Sequence, residues 1–274
     1  FISLMALVNP EEEVIILEPS FPQYKYAVSM AGGVPKSVQT KEEDQFIPDK
    51  ENIEKNITSK TKGIIINSPN NPTGCVYSKE DLEDLAEIAQ KYNLFVISDE
   101  IYEKLIYEDK KHISIARLPG MRNRTVTLNG FSKSYSMTGW RLGYAASSEP
   151  LISSLVRIHQ HSANSAVSFA QFGAITALDS RQDCVADMVD QFEMRKNIIG
   201  KRLKNIPYLS FVQPGGAFYI YINISKTGMN ANEAALHILN ECKVAVVPWD
   251  DEHIRVSYAN SLENIEEGME RLKE

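Results

Sequence analysis

Long apolar runs, an excess of positive charge and paired cysteines are all missing from this sequence, and each absence closes off a class of function. No apolar run approaches the roughly 20 residues needed to cross a bilayer, and no signal-peptide pattern opens the chain at Phe1. Lysine and arginine total 29 against 36 acidic residues, a formal net charge of -7, with no basic block or arginine-rich tail. Binding to DNA or RNA needs a concentrated positive surface, so nucleic acid is not an expected partner. The cysteines, Cys75, Cys184 and Cys242, are odd in number and widely spaced, without a Cys-x-x-Cys pair. They read as reduced thiols in a cytoplasmic protein. Histidine is scarce, and no carboxylate motif accompanies His159 and His161, so no metal site is expected.

What is present is a chain able to bury a large core, 43% hydrophobic over 274 residues. Its texture alternates strand and helix, which implies an α/β fold with a mainly parallel sheet and helices on both faces. Short apolar strands are expected at Val14–Leu17, Gly63–Asn67, Leu94–Ser98 and Thr125–Leu128. Ser78-Lys-Glu-Asp81 reads as a capping box, and the helix it starts places Leu82, Leu85, Ala86 and Ala89 on one face. A long helix of mixed charge is expected near 183–203. Beyond Pro207 come short strands (Ala217–Ile222, Val244–Val247, Ile254–Ser257) and helices near Ala231–Glu241 and Leu262–Lys273. This change of texture suggests a large domain over 1–180 and a smaller C-terminal α+β domain over 181–274.

Lys133 carries the most chemical information. It follows the apolar stretch Val126-Thr-Leu128 in Asn129-Gly-Phe-Ser-Lys133-Ser-Tyr-Ser-Met-Thr-Gly-Trp-Arg141. A lysine held behind a buried strand loses water, its pKa falls, and its amine becomes a nucleophile toward an aldehyde. Arg141, eight residues on, is a permanent planar cation suited to a phosphate. An amine beside a phosphate anchor suits pyridoxal phosphate above other cofactors. Asn71, Asp99 and Lys133 each follow a different expected strand. In an open parallel sheet, ligands bind outside the carboxyl ends of the strands. Each residue has a bland reading alone: a turn, a helix start, a surface charge. All three bland readings holding together at successive strand ends is the weaker explanation.

Six segments then resemble the class I/II aminotransferases, pyridoxal-phosphate enzymes of fold type I. They are Asn70-Asn-Pro-Thr-Gly74, Ser98-Asp-Glu-Ile-Tyr102, Ser132-Lys133, Met137-Thr-Gly-Trp-Arg-Leu-Gly143, Pro214-Gly-Gly-Ala-Phe218 and Ile254-Arg-Val-Ser-Tyr258. The match runs in consistent order from Phe1 to Glu274 and is closest to the prokaryotic aspartate/aromatic branch. The resemblance implies that Lys133 holds the cofactor and shuttles a proton. It implies that Asp99 pairs with the pyridine nitrogen, that Asn71 and Tyr102 meet the ring's phenolic oxygen, and that Arg141 binds the phosphate. Phe21 would stack on the ring, where a core aromatic is the competing reading. Arg255 would clamp the substrate carboxylate, with a surface arginine on an edge strand as the alternative. Amino-acid and 2-oxo-acid substrates (aspartate and 2-oxoglutarate among them) and a homodimer are implied as well. The runner-up reactions are a C–S β-lyase on the same scaffold and a cofactor-binding effector domain of a transcription regulator.

The chain also departs from the pattern. The N-terminal part of the family fold, with its glycine-rich phosphate turn, is expected to be absent ahead of Phe1. Gly130 stands where many relatives carry a phosphate-binding serine. Val246-Val-Pro-Trp-Asp-Asp-Glu-His253 replaces a longer loop, which suggests a physical break between Val247 and His253. Asn71-Pro72 is expected to be cis. Phe1–Val8 reads as a buried helix.

Overall fold

The computed structural model describes residues 1–273. Its first half is built on a six-stranded sheet in the order β2-β1-β3-β4-β5-β6. The strands are β1 (Glu13–Glu18), β2 (Val34–Gln39), β3 (Thr61–Asn67), β4 (Phe95–Asp99), β5 (Thr125–Gly130) and β6 (Gly143–Ala146). β1 to β5 run parallel and β6 closes the edge antiparallel to β5. Between them come α1 (Ile2–Leu7), α2 (Gln23–Met30), α3 (Lys50–Lys55) and α4 (Lys79–Lys91). After β6 the chain continues through α5 (Glu149–Ser162), α6 (Ser168–Asp179) and the 21-residue α7 (Asp183–Leu203).

The second sheet is antiparallel, in the order β7-β8-β10-β9: β7 (Ser210–Phe211), β8 (Tyr219–Asn223), β9 (Val247–Pro248) and β10 (His253–Ser257). Helices α8 (Ala231–His237) and α9 (Leu262–Arg271) accompany it.

The expected strands of the first sheet form because their residues are apolar on both faces, as a sheet covered by helices requires. Val14, Ile15 and Ile16 are fully buried, as are Ile64 and Val96. One side packs on α4, whose Leu82, Leu85, Ile88 and Ala89 enter the core with Ile15, Ile64 and Val96. The other side packs Val14, Ile16 and Ile97 against Leu4 and Val28. The capping box at α4 is present: Ser78 Oγ accepts from the Asp81 amide, and Asp81 accepts from the Ser78 amide.

Four expectations need correction. Residues Val247 to His253 form a closed hairpin rather than a break: the Trp249 amide donates to the His253 carbonyl at 3.0 Å, and β9 pairs with β10. The strand expected at Val244–Val247 shrinks to Val247–Pro248, because only these residues face β10 before the short turn. The helix from Ala231 is α-helical only to His237 and continues as a π-turn, Ile238–Cys242. The N-terminal helix α1 buries Ser3 and Leu4 but leaves Phe1 and Met5 exposed, so one face is covered, not all.

Candidate active site

The parallel register delivers the site. Asn67 of β3 lies opposite Asp99 of β4, and Asp99 lies opposite Leu128 of β5. The chain therefore leaves three neighbouring strands at one level, carrying Asn71, Asp99 and Lys133 to the same edge. A cavity of about 500 Å³ opens there, lined by Phe21, Asn71, Asp99, Tyr102, Lys133, Arg141 and Arg255 among others. All seven residues singled out in the sequence meet at this one place.

The loop bearing Asn71 is rigid by its own hydrogen bonds. Asn67 Oδ1 accepts from the Asn71 amide at 2.9 Å, and Asn67 Nδ2 donates to the Asp99 carbonyl at 2.9 Å, tying two strand ends together. Asn70 Oδ1 accepts from the Thr73 amide and hydroxyl. The Asn71-Pro72 bond is cis, as expected. Gly74, at φ +70°, and Gly216 explain the paired glycine motifs. The amides of Gly215 and Gly216 both donate to the Gly74 carbonyl, and a Cβ on Gly216 would lie 2.7 Å from Pro69 and 2.8 Å from the Leu105 carbonyl. Gly215-Gly216 is thus a seam between the two sheets, beyond a turn before β8. That seam sets Arg255, on β10, against Asn71: its Nη1 donates to Asn71 Oδ1 at 2.8 Å. With its oxygen so engaged, Asn71 keeps its amide nitrogen free to donate elsewhere.

Charge in the cavity is arranged by burial. Burial holds the Lys133 amine below the ordinary lysine range, helped by the nearby cations of Arg255 and Arg141 and opposed by Asp99. Burial likewise pushes the Asp99 carboxyl up, while hydrogen bonds from Tyr24 and the Ile101 amide act the other way. Tyr24 Oη donates to Asp99 Oδ2 at 2.6 Å, and the Ile101 amide donates to Oδ1 at 3.2 Å. Tyr102 is buried, its hydroxyl 3.1 Å from that of Tyr219, and burial pushes its phenol up. Arg141 is exposed at the mouth, in the left-handed region at φ 52°, with Nη1 on the Thr138 carbonyl. Phe21 is 40% exposed and meets Tyr24 edge-on.

Tyr24, Asn67 and Tyr219 were missed in the sequence. Tyr24 lies on a weakly patterned helix, α2, and nothing in Gln23–Met30 marks one tyrosine over another. Gly130 has a local explanation, since a Cβ there would sit 3.0 Å from the Leu142 carbonyl and 3.1 Å from Gly143 Cα. Trp140 packs on Gly173 and Phe169, in keeping with a packing role. The structure also brings Glu100, Glu103 and His112 within 4.8 Å of one another, a grouping invisible in sequence spacing. Glu100 is already hydrogen-bonded by Ser98, Ser114 and His112, which accounts for a carboxylate that is 3% exposed. Among the described residues no helix is long and apolar enough to cross a membrane.

The donor set fits pyridoxal phosphate: a primary amine of lowered pKa, a carboxylate, an amide donor and a guanidinium around a cavity of cofactor size. Comparison with known proteins agrees. The model of the family "Aminotransferase class I and II" matches residues 1–272. The aspartate aminotransferase of Pyrococcus abyssi is 43% identical over 98% of this chain and 71% of its own length. Aromatic-amino-acid aminotransferase 2 of Thermococcus litoralis is 42% identical over 98% of the chain and 71% of its own. The crystal structure of an aromatic aminotransferase from Pyrococcus horikoshii superposes with a TM-score of 0.97 at 42% identity, covering 99% of this chain and 75% of that one. With strand-end lysine, carboxylate and asparagine at one cavity and this similarity along its length, the chain belongs to the aminotransferase class I and II family, as a pyridoxal-phosphate-dependent transaminase.

Proposed function

We propose that the cavity at the ends of β3, β4 and β5 transfers an amino group between an L-amino acid and a 2-oxo acid, with aspartate and 2-oxoglutarate as the preferred pair. The observation that carries the chemistry is the convergence of Lys133, Asp99 and Arg255 on one cavity. Pyridoxal phosphate, when bound, supplies an aldehyde that takes up the amino group and a ring that accepts electrons from the substrate Cα.

The chain's own residues do the rest. Lys133 would hold the cofactor and serve as the proton carrier at the substrate Cα, and burial together with the Arg255 and Arg141 cations lowers its pKa in the direction a base needs. Asp99, held by Tyr24 and the Ile101 amide, would pair with the pyridine nitrogen and favour its protonated form. Asn71, through its free amide nitrogen, and Tyr102 would donate to the cofactor's phenolic oxygen. Arg141 would bind the phosphate and Phe21 would stack on the ring, both lining the cavity. Arg255 presents its guanidinium to the substrate α-carboxylate, the pairing for which that planar fork is shaped.

The aspartate preference rests on relatives named as aspartate aminotransferases, such as that of Pyrococcus abyssi. We further propose a division into a large domain, 1–180, and a small one, 181–274, a homodimer with the site at its interface, and a cytoplasmic location. Single-turnover reactions of the cofactor-loaded protein with a panel of amino acids test the substrate. Aspartate is expected to react fastest, and a faster reaction with an aromatic amino acid would reassign the preference.

A further inference from the structure

The short hairpin between β9 and β10 places Trp249 against Arg255. The Arg255 guanidinium carbon lies 4.3 Å from the ring centroid of Tyr219 and 4.9 Å from that of Trp249. Its Nη1 is fixed on Asn71, and its Nε is buried without a hydrogen-bond partner. Tyr219 lines the cavity beside Arg255, whereas Trp249 stands outside the lining. Trp249 therefore reaches the cavity only through the guanidinium it packs on.

The tryptophan is itself held. Its amide closes the turn on the His253 carbonyl at 3.0 Å, and its ring meets Tyr221 edge-on at 6.4 Å. Asp250 is the hub of that turn, accepting from the Tyr221 hydroxyl, from His253 Nδ1 at 2.9 Å and from the Glu252 amide at 2.9 Å. His253 stacks on Tyr221 with ring centroids 4.4 Å apart and planes 3° from parallel. From the turn that follows β2, Glu42 accepts from Asn223 at 2.9 Å, beside the same hairpin. A four-residue connection anchored this heavily serves to fix something, and what it touches toward the cavity is Arg255.

We propose that Trp249 is a positioning residue for substrate binding: with Tyr219 it holds the Arg255 guanidinium in place so that its free edge meets a carboxylate without further ordering. This rests on Arg255 being the carboxylate clamp. A guanidinium packed on aromatic faces is stabilised by their quadrupoles and loses less side-chain freedom when it binds.

The test is carboxylate binding to the full-length protein loaded with pyridoxal phosphate, using maleate and 3-phenylpropionate as probes and calorimetry as the readout. Trp249→Ala, and Trp249→Leu to preserve apolar volume if the alanine variant does not fold, are expected to weaken both probes by a similar factor, roughly 2- to 30-fold. Trp249→Phe should recover most of that loss, and KM should rise by more than kcat falls. Arg255→Leu separates the two readings. If it abolishes binding while Trp249→Leu changes nothing, the positioning role is wrong and the clamp stands. If Arg255→Leu leaves both probes bound as tightly as before, the clamp itself is wrong. Should Trp249→Leu weaken only one probe, the indole reads the ligand's side chain, and positioning through Arg255 is overturned.

Discussion

In the proposed reaction a lysine amine kept short of water is the chemical centre, and its cost is measurable. Burial and two neighbouring cations hold the Lys133 pKa below the ordinary value. In the unfolded chain the same amine titrates near about 10.4. Between these two pKa values the unfolded state binds the proton more readily, so this residue's contribution to stability improves as pH rises through the window and is at its worst below it. Lys133→Met should therefore raise the melting temperature of the cofactor-free protein at neutral pH, with the gain shrinking toward pH 10.4. A melting-temperature series against pH checks this; a gain that stays constant up to the alkaline end would mean that packing, not charge, is responsible. In the proposed reaction the same residue carries turnover. Lys133→Ala is expected to lower single-turnover rates by at least roughly 10²–10⁴-fold, while cofactor is retained through Arg141 and Asp99. Borohydride reduction followed by peptide mapping should label Lys133 in the parent protein, and a label on another lysine would displace the assignment. At this scale the sequence was informative wherever a residue followed a strand end. Asn71, Asp99 and Lys133 were legible because strand identity fixes where the next residues emerge. Tyr24 was not, because its contact with Asp99 spans 75 positions and depends on how α2 packs across the sheet.

Elements explain why these residues stay together. The seam between Gly74 and Gly216 joins the Asn71 loop to the sheet that carries Arg255, and neither position has room for a side chain. Gly216→Ala should destabilise the protein by about 1–3 kcal/mol, an overpacking cost, because the colliding atoms belong to a proline and a backbone carbonyl that have little freedom to move. Denaturant unfolding measures it, and a loss below about 0.5 kcal/mol would show that the seam yields. In α4, Leu85 is 2% exposed and packs in the main core. Leu85→Ala should cost about 2–5 kcal/mol by the same assay. That helix was legible from its capping box and apolar face, and so were the buried strands. β2 was not, since Val-Pro-Lys-Ser-Val-Gln lies at the sheet edge with half its residues polar and only Val38 buried. β6 is four residues, Gly-Tyr-Ala-Ala, with no apolar alternation to announce it. The hairpin at Trp249 was misread as a gap because a shortened loop and a broken chain look alike in sequence. Only pairing with β10 tells them apart.

Across the whole molecule, α7 meets the loop after β4 through a lysine with no exposed surface. Lys196 Nζ lies 2.8 Å from Glu108 and 4.0 Å from Glu193, above the Tyr107 ring. Tyr107 in turn donates its hydroxyl to the Ala217 carbonyl, next to β8. Removing Glu108 leaves a buried cation with only the more distant Glu193, so Glu108→Ala should cost about 1–3 kcal/mol, whereas Lys196→Met removes the charge and should cost less. Thermal unfolding of both variants decides; equal losses would show that packing of the lysine stem dominates. The proposed division of the chain rests on the change in texture beyond Pro207. The polar tie across that division was not legible in the sequence, because Glu108 and Lys196 are 88 positions apart.

The alignment of three strand ends has a consequence for how such a chain is inherited. Asn71, Asp99 and Lys133 are placed by hydrogen bonding between neighbouring strands, not by the number of residues separating them along the chain. Insertions on the outer surface of α4, or in the stretch that leads from β4 to β5, would therefore alter the spacing of the motifs without altering the distances between their side chains. A lineage carrying this sheet is free to drift in loop length while its chemistry stays fixed, and selection acts hardest on the register of β3, β4 and β5.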